Sequence, residues 1–390
     1  MYESKHILRI THVITGLRIG GAESMLYKLV RQHKQENVQI TVVSLGEVGQ
    51  IGERIRALGI SVEAVGARSG SIPRVFEVIK LITKIRREKP EVLQGWMYHG
   101  NIAATLGGLF LIPRPKIFWN VRQSLGPLDQ EKNLTKNLIR FSAFLSRIPD
   151  GIIYNSMDSV EQHTAIGYSS KRIYFIPNGF DPDEFRPDNI KRQQVRAELG
   201  ISDDSFLVGH IARFHPKKDH HSFFAAAKHV LQKRNDVYFL AAGRGVFGDN
   251  PTILRQLQEF GLQNKIFLLG ERNDISSIYC ALDLFVSSSA WGEGFPNNIG
   301  EAMATGLCCA ATDVGESKRL LGETGQITGP SDPRALASVI LEFVANPFSD
   351  RQKRGQEARK RVSERYSIEH IGGEYMSLYT ENLMSPHTIV

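Results

Sequence analysis

The 390-residue chain predicts an α/β protein with two doubly wound parallel sheets. Short β-branched and aromatic runs alternate with amphipathic stretches from one end to the other, as strand–helix–strand units require. A turn-rich segment, NGFDPDEFRPDN at 178–189, divides the alternation into two series. A chain of this length also exceeds what a single core usually fills.

In the first series the strand-like runs are 6–14, 39–45, 61–65, 92–97, 116–121, 151–156 and 172–177. Helical patterns such as AESMLYKLVRQH and PRVFEVIKLITKIRREK lie between them. In the second they are 206–212, 237–243, 265–270, 282–288 and 307–312, each followed by a loop and a helical pattern. The stretch 350–383 reads as helical. The expected division is 1–180, 181–368 and a terminal helical piece 369–390. In such a protein ligands sit beyond the carboxyl ends of the strands.

Hydrophobic residues make up 42% of the chain and charged residues 23%, ordinary values for a globular protein. The three cysteines, Cys280, Cys308 and Cys309, fall in expected buried elements, which excludes a disulfide framework and fits a reducing cytoplasm. The N-terminus enters a strand without the layout of a signal peptide. The apolar run near 102–112 is far short of the ~20 residues a membrane span needs. The net charge of +7 is uneven: residues 1–150 carry 22 Lys and Arg against 12 Asp and Glu. A basic first half points to an anionic surface. No nucleic-acid motif accompanies it, so a membrane leaflet is the expected partner. Within 130–147, Leu134, Leu138, Ile139, Phe141, Phe144 and Leu145 interleave with Lys132, Lys136, Arg140 and Arg147. Such a stretch either packs on the sheet or lies at a membrane surface.

The segment 287–312, SSSAWGEGFPNNIGEAMATGLCCAAT, carries the densest chemistry. An apolar strand leads into a Gly-rich loop and then a helix, with Pro296 in the first turn and Asn297 and Asn298 as capping candidates. This arrangement aims backbone N–H groups and the positive helix end at an anion such as a diphosphate. Glu301 is placed to accept hydrogen bonds from ribose hydroxyls. Glu293 is placed to hold sugar hydroxyls or to stabilise positive charge developing on a sugar carbon. Both could equally be solvated acids on a capped surface helix.

After the run ending at 212 comes RFHPKKDHH, in which Arg213 and Lys218 offer two cations where a leaving diphosphate gathers charge, with Lys217 as the neighbouring candidate. The histidines at 210, 215, 220, 221 and 229 lack the spacing and companion ligands of a metal site. GRGVFG at 243–248 spells G-x-G-x-x-G, but position 263 is Gln where a dinucleotide fold needs an acid. Asp181 and Asp183 form a D-x-D inside the turn-rich segment, where turn chemistry explains them better than a divalent ion does.

The string EGFPNNIGEAMATG, with Glu293, Gly294, Phe295, Pro296, Glu301, Ala302, Met303 and Gly306, closely resembles the E-x7-E signature of the retaining glycosyltransferases of family 4, the bacterial polysaccharide and lipopolysaccharide type. Arg213 with Lys218 matches the family's R-x4-K pair. Asn178, Gly179, Asp181 and Phe185 match its linker, and these motifs appear in family order along most of the chain.

The resemblance implies the GT-B fold, two Rossmann-like domains facing across a cleft, with the terminal helix crossing back to the first. It implies a metal-independent, retaining hexosyltransferase with no cofactor, moving a sugar from a nucleoside diphosphate sugar, UDP by default. A glycan or lipid-linked glycan in cell-surface polysaccharide assembly would be the acceptor. His99 is then the residue contacting the transferred sugar. Gly243 and Gly245 let backbone approach the nucleotide, with Gly21, Gly294, Phe295, Pro296, Asn297, Asn298 and Glu301 also on the donor side. Gly20, Gly21, Ala22 and Glu23 resemble the family's GGAE loop, and Gly20, Glu23 and Arg122 are acceptor-side candidates. The expected location is cytoplasmic, peripheral at the inner membrane. No second carboxylate offers a nucleophile, so attack from the face the diphosphate leaves is the expected route. Two other readings stand beside this one. A sugar-nucleotide epimerase would turn over donor alone, and a non-catalytic assembly subunit would tolerate loss of Glu293, Arg213 and Lys218.

Overall fold

The computed structural model describes residues 6–67, 75–125 and 133–384. It contains two compact units, Met1–Gly179 with Ile368–Val390, and Phe180–Ser367.

The first unit runs β1 (Leu8–Ile14), α1 (Gly21–His33), β2 (Val38–Ser44), α2 (Gly49–Ala57), β3 (Ser61–Ala64), α3 (Val75–Glu88), β4 (Val92–Trp96), α4 (Met97–Leu109), β5 (Lys116–Val121), α5 (Asn133–Leu145), β6 (Gly151–Tyr154), α6 (Met157–Ala165) and β7 (Ile173–Phe175). Its strands form one sheet in the order β3-β2-β1-β4-β5-β6-β7, all parallel. β1 therefore pairs with β2 on one side and β4 on the other, with Ile10 opposite Ile40 and Val92. The chain reverses direction of travel across the sheet between β1 and β4, which opens a crevice beyond their carboxyl ends. Val42, Val43, Leu93 and Trp96 are fully buried, as strands covered on both faces must be.

The second unit runs α7 (Asn189–Glu198), β8 (Phe206–Ile211), a 3-10 turn at Pro216–Lys218, α8 (His220–Leu231), β9 (Val237–Ala242), α9 (Pro251–Phe260), β10 (Ile266–Leu268), α10 (Ile275–Ala281), β11 (Leu284–Ser287), α11 (Asn297–Ala304), β12 (Cys308–Thr312), α12 (Ser317–Leu321), β13 (Gln326–Thr328), α13 (Pro333–Ala345) and α14 (Phe348–Arg365). The parallel order is β10-β9-β8-β11-β12-β13, with the corresponding crevice between β8 and β11. The sixth strand, β13, is three residues long and lacks an apolar run, which is why the sequence reading passes over it.

The terminal stretch is two helices. α14 stops at Arg365, and α15 (Ile368–Met384) belongs to the first unit. Between them the Tyr366 carbonyl accepts the Phe180 N–H at 2.8 Å and Ser367 bridges Phe180. That pairing takes the backbone out of the helical ladder. α15 docks on the first unit through buried polar contacts. His33 Nε2 meets the Gly372 carbonyl at 3.0 Å, Asn120 donates to the Tyr375 hydroxyl at 2.8 Å, and Tyr379 donates to Gln94. The three cysteines are free and buried. No described helix is long and apolar enough to cross a membrane.

α5 answers both sides of its sequence pattern. Ile139, Ala143 and Leu145 are buried against the sheet, while Leu134, Phe141 and Phe144 remain exposed. Lys132 lies outside the described residues.

Candidate functional site

In the second unit the switch point is built by the loops after β8 and β11. Lys218 closes the 3-10 turn, and its ammonium forms an ion pair with Oε1 of Glu293, the pair being only 20% and 12% exposed. Ser289 donates its hydroxyl to the same oxygen at 2.7 Å. Backbone bonds lock the two loops together: Ala290 N–H to the Lys217 carbonyl at 2.9 Å, and the Ser288 hydroxyl to the carbonyls of Lys218 and Asp219 at 3.0 Å each. Thr312 at the end of β12 holds the Ser289 carbonyl at 2.6 Å, and the Gly294 carbonyl accepts from Glu316 at 2.9 Å. The acid is thus aimed by four chain segments. Arg213 is exposed in the same loop, and among the described residues no hydrogen bond or ion pair holds its guanidinium. His215, beside Arg213, Lys217 and Lys218, accepts the Lys217 N–H at 3.2 Å, and its pKa is lowered by burial and by the three cations.

Helix α11 starts differently from its sequence pattern. Pro296 is the N-cap, with extended φ −75° and ψ 113°, and its own side chain makes no capping bond. The Asn298 side-chain oxygen accepts the Ile299 N–H at 3.0 Å, and its amide donates to the Ile211 carbonyl at 3.1 Å, which ties the helix start to the end of β8. Glu301 stands one turn further in, where the Tyr279 hydroxyl reaches its Oε2 at 3.4 Å and the Asn298 carbonyl at 3.0 Å. Burial, then the Glu301 charge, pushes the Tyr279 phenol well above its usual range, so it stays a donor. Asn297 is partly exposed at the helix start. Phe295 is turned inward, stacked on Phe180 at 6.2 Å and against Tyr366 at 5.3 Å. It shapes the loop from the core side, and Pro296 is likewise buried.

Gly243 and Gly245 follow β9. Gly243 has φ +140°, and a Cβ there would lie 2.3 Å from the Ala212 carbonyl oxygen. The missing side chain therefore lets the loops after β8 and β9 pack backbone to backbone, which places Arg213. Gly245 has φ +83° and faces Phe214, whose N–H donates to the Arg244 carbonyl at 2.8 Å. Asp181 accepts the N–H groups of Asp183 and Glu184 at 2.9 and 3.1 Å, a closed local turn. Among the described residues no cluster of His, Cys, Asp and Glu is arranged to hold a metal ion.

In the first unit the switch point lies between the loop after β1 and the start of α4. Gly20 is the N-cap of α1 and Gly21 its first residue. The Glu23 carboxylate folds back over Gly20 and bonds its own backbone N–H, while burial raises its pKa. His99 is exposed in the first turn of α4, two residues after Met97, which is held in the left-handed region at φ +61°. A non-glycine residue there stores strain, as sites often do. Partial desolvation of the ring by its surroundings lowers the His99 pKa, which favours a neutral imidazole.

Arg122 is drawn elsewhere. Its guanidinium donates to the Ile176 carbonyl at 3.0 Å, the Pro177 carbonyl at 3.1 Å, the Tyr375 hydroxyl at 2.9 Å, and the side chains of Asn120 and Asn178. Protein acceptors hold both its terminal nitrogens, so its place is as a clamp on the segment before Gly179 and on α15. Ser289, Tyr279 and Thr312 escaped the sequence reading. Ser289 at least stands four residues before Glu293, whereas Tyr279 meets Glu301 only through the packing of α10 on α11.

Comparison with known proteins follows the same division. The family profile described as Glycosyltransferase Family 4 matches residues 19–184, and that described as Glycosyl transferases group 1 matches residues 205–346. The lipopolysaccharide core biosynthesis mannosyltransferase LpsB of Rhizobium meliloti is 31% identical over 255 residues, 63% of this chain and 69% of that one. The UDP-Gal:alpha-D-GlcNAc-diphosphoundecaprenol alpha-1,3-galactosyltransferase of Escherichia coli is 34% identical over 145 residues, 37% of each chain. HepE of Anabaena, crystallised with UDP, superposes with a TM-score of 0.83 at 21% identity, over 96% of this chain and all of that one. The chain belongs to the group 1 glycosyltransferases of family 4 and has their GT-B fold.

Proposed function

We propose that this glycosyltransferase takes a sugar from a nucleoside diphosphate donor, with UDP as the nucleotide, and transfers it with retention of anomeric configuration. The observation carrying this reading is the Lys218–Glu293 ion pair at the β8/β11 crevice, with Arg213 exposed beside it. Arg213 and Lys218 would stabilise the diphosphate as the glycosidic bond breaks, doing without a metal ion what a divalent cation does elsewhere. Glu301 would bind the ribose hydroxyls. Glu293 would face the transferred sugar, and His99 of the first unit would contact that sugar. The second unit is then the donor unit and the first the acceptor unit.

The other acids beside the Glu293 loop, Glu316 and Asp219, are held by Arg319 and Ser222, so attack from the face the diphosphate leaves, with that phosphate taking the acceptor proton, is the economical mechanism. Trapping a glycosyl-enzyme adduct by mass spectrometry would overturn it. The UDP preference is supported by the Escherichia coli relative, named for UDP-Gal and a diphosphoundecaprenol acceptor. That name and the lipopolysaccharide relative support a lipid-linked glycan acceptor in cell-surface polysaccharide assembly. The basic first half and the exposed apolar residues of α5 support cytoplasmic work at an anionic membrane face.

Calorimetric titration with UDP, GDP, ADP and NAD, with and without EDTA, tests the reading. UDP binding that survives EDTA and weakens in Arg213→Ala is the expected result. Binding of NAD alone, or of none of the four, would sink it. Turnover of a UDP-sugar to a new sugar nucleotide with no acceptor present would favour an epimerase instead.

A further inference from the structure

Helices α3, α4 and α5 of the first unit enclose a cavity of about 450 Å³ at the carboxyl edge of the sheet, where Leu45 and Val65 follow β2 and β3. Its walls are almost wholly apolar, with Leu81, Leu106, Leu134, Leu138 and Phe141 among them. The polar exceptions are His99, Glu77 and Asn137. Around it the same three helices and the α4–β5 loop leave Phe76, Ile79, Leu109, Phe110, Ile112 and Phe144 exposed. With Leu106, Leu134 and Phe141 they make nine of the eighteen large hydrophobics exposed among the described residues. A concentration of that kind marks an interaction surface rather than scatter.

We infer that this cavity holds the hydrocarbon chain of a phosphate-headed lipid acceptor, beside His99. The inference rests on the glycosyltransferase reading and narrows its acceptor. A protein segment entering the cavity would carry backbone N–H and C=O groups, and three polar side chains cannot satisfy them. An alkyl or isoprenoid chain brings no such groups and gains from every methylene buried. α5 carries Lys136 and Arg140 and no acidic residue, which matches an anionic head on the chain. Because His99 belongs both to the lining and to the switch point, a chain seated here leaves its head at the place assigned to the transferred sugar.

The test titrates the full chain with n-alkyl phosphates of six to twelve carbons below their micelle concentrations, with inorganic phosphate as the chain-free control. Affinity is expected to rise roughly fourfold per methylene until the cavity is full. Leu106→Trp, which fills the mouth from a partly exposed position, is expected to weaken decyl phosphate at least tenfold, and Phe141→Ser should weaken it in the same direction. Ile112→Ser, outside the lining, should bind as the parent does. Affinity independent of chain length, or equal binding by Leu106→Trp, would overturn the inference. So would an equal loss in Ile112→Ser, which would mark the face as a leaflet contact only. UDP titrated into the same samples separates the two readings: intact UDP binding without chain dependence overturns this inference alone, and chain binding without UDP binding overturns the donor reading.

Discussion

The Lys218 ammonium and the Glu293 carboxylate, 75 positions apart in the chain, form an ion pair at the switch point of the second sheet, with Ser289 sharing the same carboxylate oxygen. Each charge holds the other in a partly dry crevice. Lys218→Ala is therefore expected to lower the turnover of sugar transfer about 10²–10³-fold, the scale of losing one oriented donor to developing charge. Glu293→Gln keeps the Ser289 contact and the fold but loses the charge. It should cut turnover by a similar factor with UDP affinity nearly unchanged. A steady-state comparison of kcat and KM, with UDP binding measured separately, checks both.

Glu301 and Tyr279 set the second test. Glu301→Ala should weaken UDP binding by about tenfold or more, as loss of a charged hydrogen bond implies. Tyr279→Phe removes only the hydroxyl that reaches Glu301 and the Asn298 carbonyl, so a loss of a few-fold is expected, with the fold retained. Equal effects of the two variants would mean that Glu301 acts through the packing of α10 rather than on the nucleotide.

Gly300 allows α11 to lie against the segment that enters the second unit. A Cβ there would stand 2.0 Å from Cζ of Phe180, which is fully buried. Gly300→Ala should cost about 1–3 kcal/mol by overpacking, and Phe180→Leu in the same chain should recover part of it. Thermal melts of the single and double variants decide the matter.

Acid should destabilise the protein well before its carboxylates protonate. Burial lowers the pKa of His12 to about 3, of His33, His163 and His210 to about 4, and of His220 to about 2. Against an unfolded value near 6.5, each group is neutral when folded and protonated when unfolded between those limits. The unfolded state then binds more protons, so stability rises with pH through that window. It is fully present above about 6.5 and falls as pH drops toward 4. Urea midpoints at pH 7.5, 6.5 and 5.5 should decline in that order, and His33→Gln should flatten the slope. Midpoints independent of pH above 5.5 would contradict the neutral assignment.

Arg122→Ala should act as a stability variant. It strands the Ile176 and Pro177 carbonyls and frees Tyr375, at a cost of about 2–3 kcal/mol. Lysine cannot span the same acceptors, so Arg122→Lys should not rescue the melt. A variant that melts like the parent yet loses affinity for an acceptor would return Arg122 to the acceptor side.

What could be read before folding was local. The strand–helix alternation is a matter of period, and the EGFPNNIGEAMATG string with Arg213 and Lys218 is a matter of spacing, so the GT-B fold and the residues of the second unit's candidate site were visible in the letters. Glu293 and Glu301 were named from spacing, but Tyr279 reaches Glu301, and Thr312 the Ser289 carbonyl, only through contacts that depend on the sheet order, whereas Ser289 shares the Glu293 loop. Of the two asparagines expected to cap α11, Asn298 takes the Ile299 N–H, and it also donates to the Ile211 carbonyl, a tie that no local pattern displays. Phe295 and Arg122 were read as ligand groups, yet the structure turns the first into the core and spends the second on the clamp.

The chain by itself determined the two α/β series and the chemistry-bearing residues, because hydrophobic period and short motifs act over a few residues. Only the tertiary structure decided that β1 sits beside β4 and β8 beside β11, and it is this reversal that gathers His99 in one unit and Lys218 with Glu293 in the other. The same holds for the apolar cavity: α3 and α5 carry mixed patterns and α4 an uncharged one, and the hollow exists only where the three meet. Strand order and helix packing are settled by contacts between residues far apart in sequence, whose free energy appears only once the chain has folded.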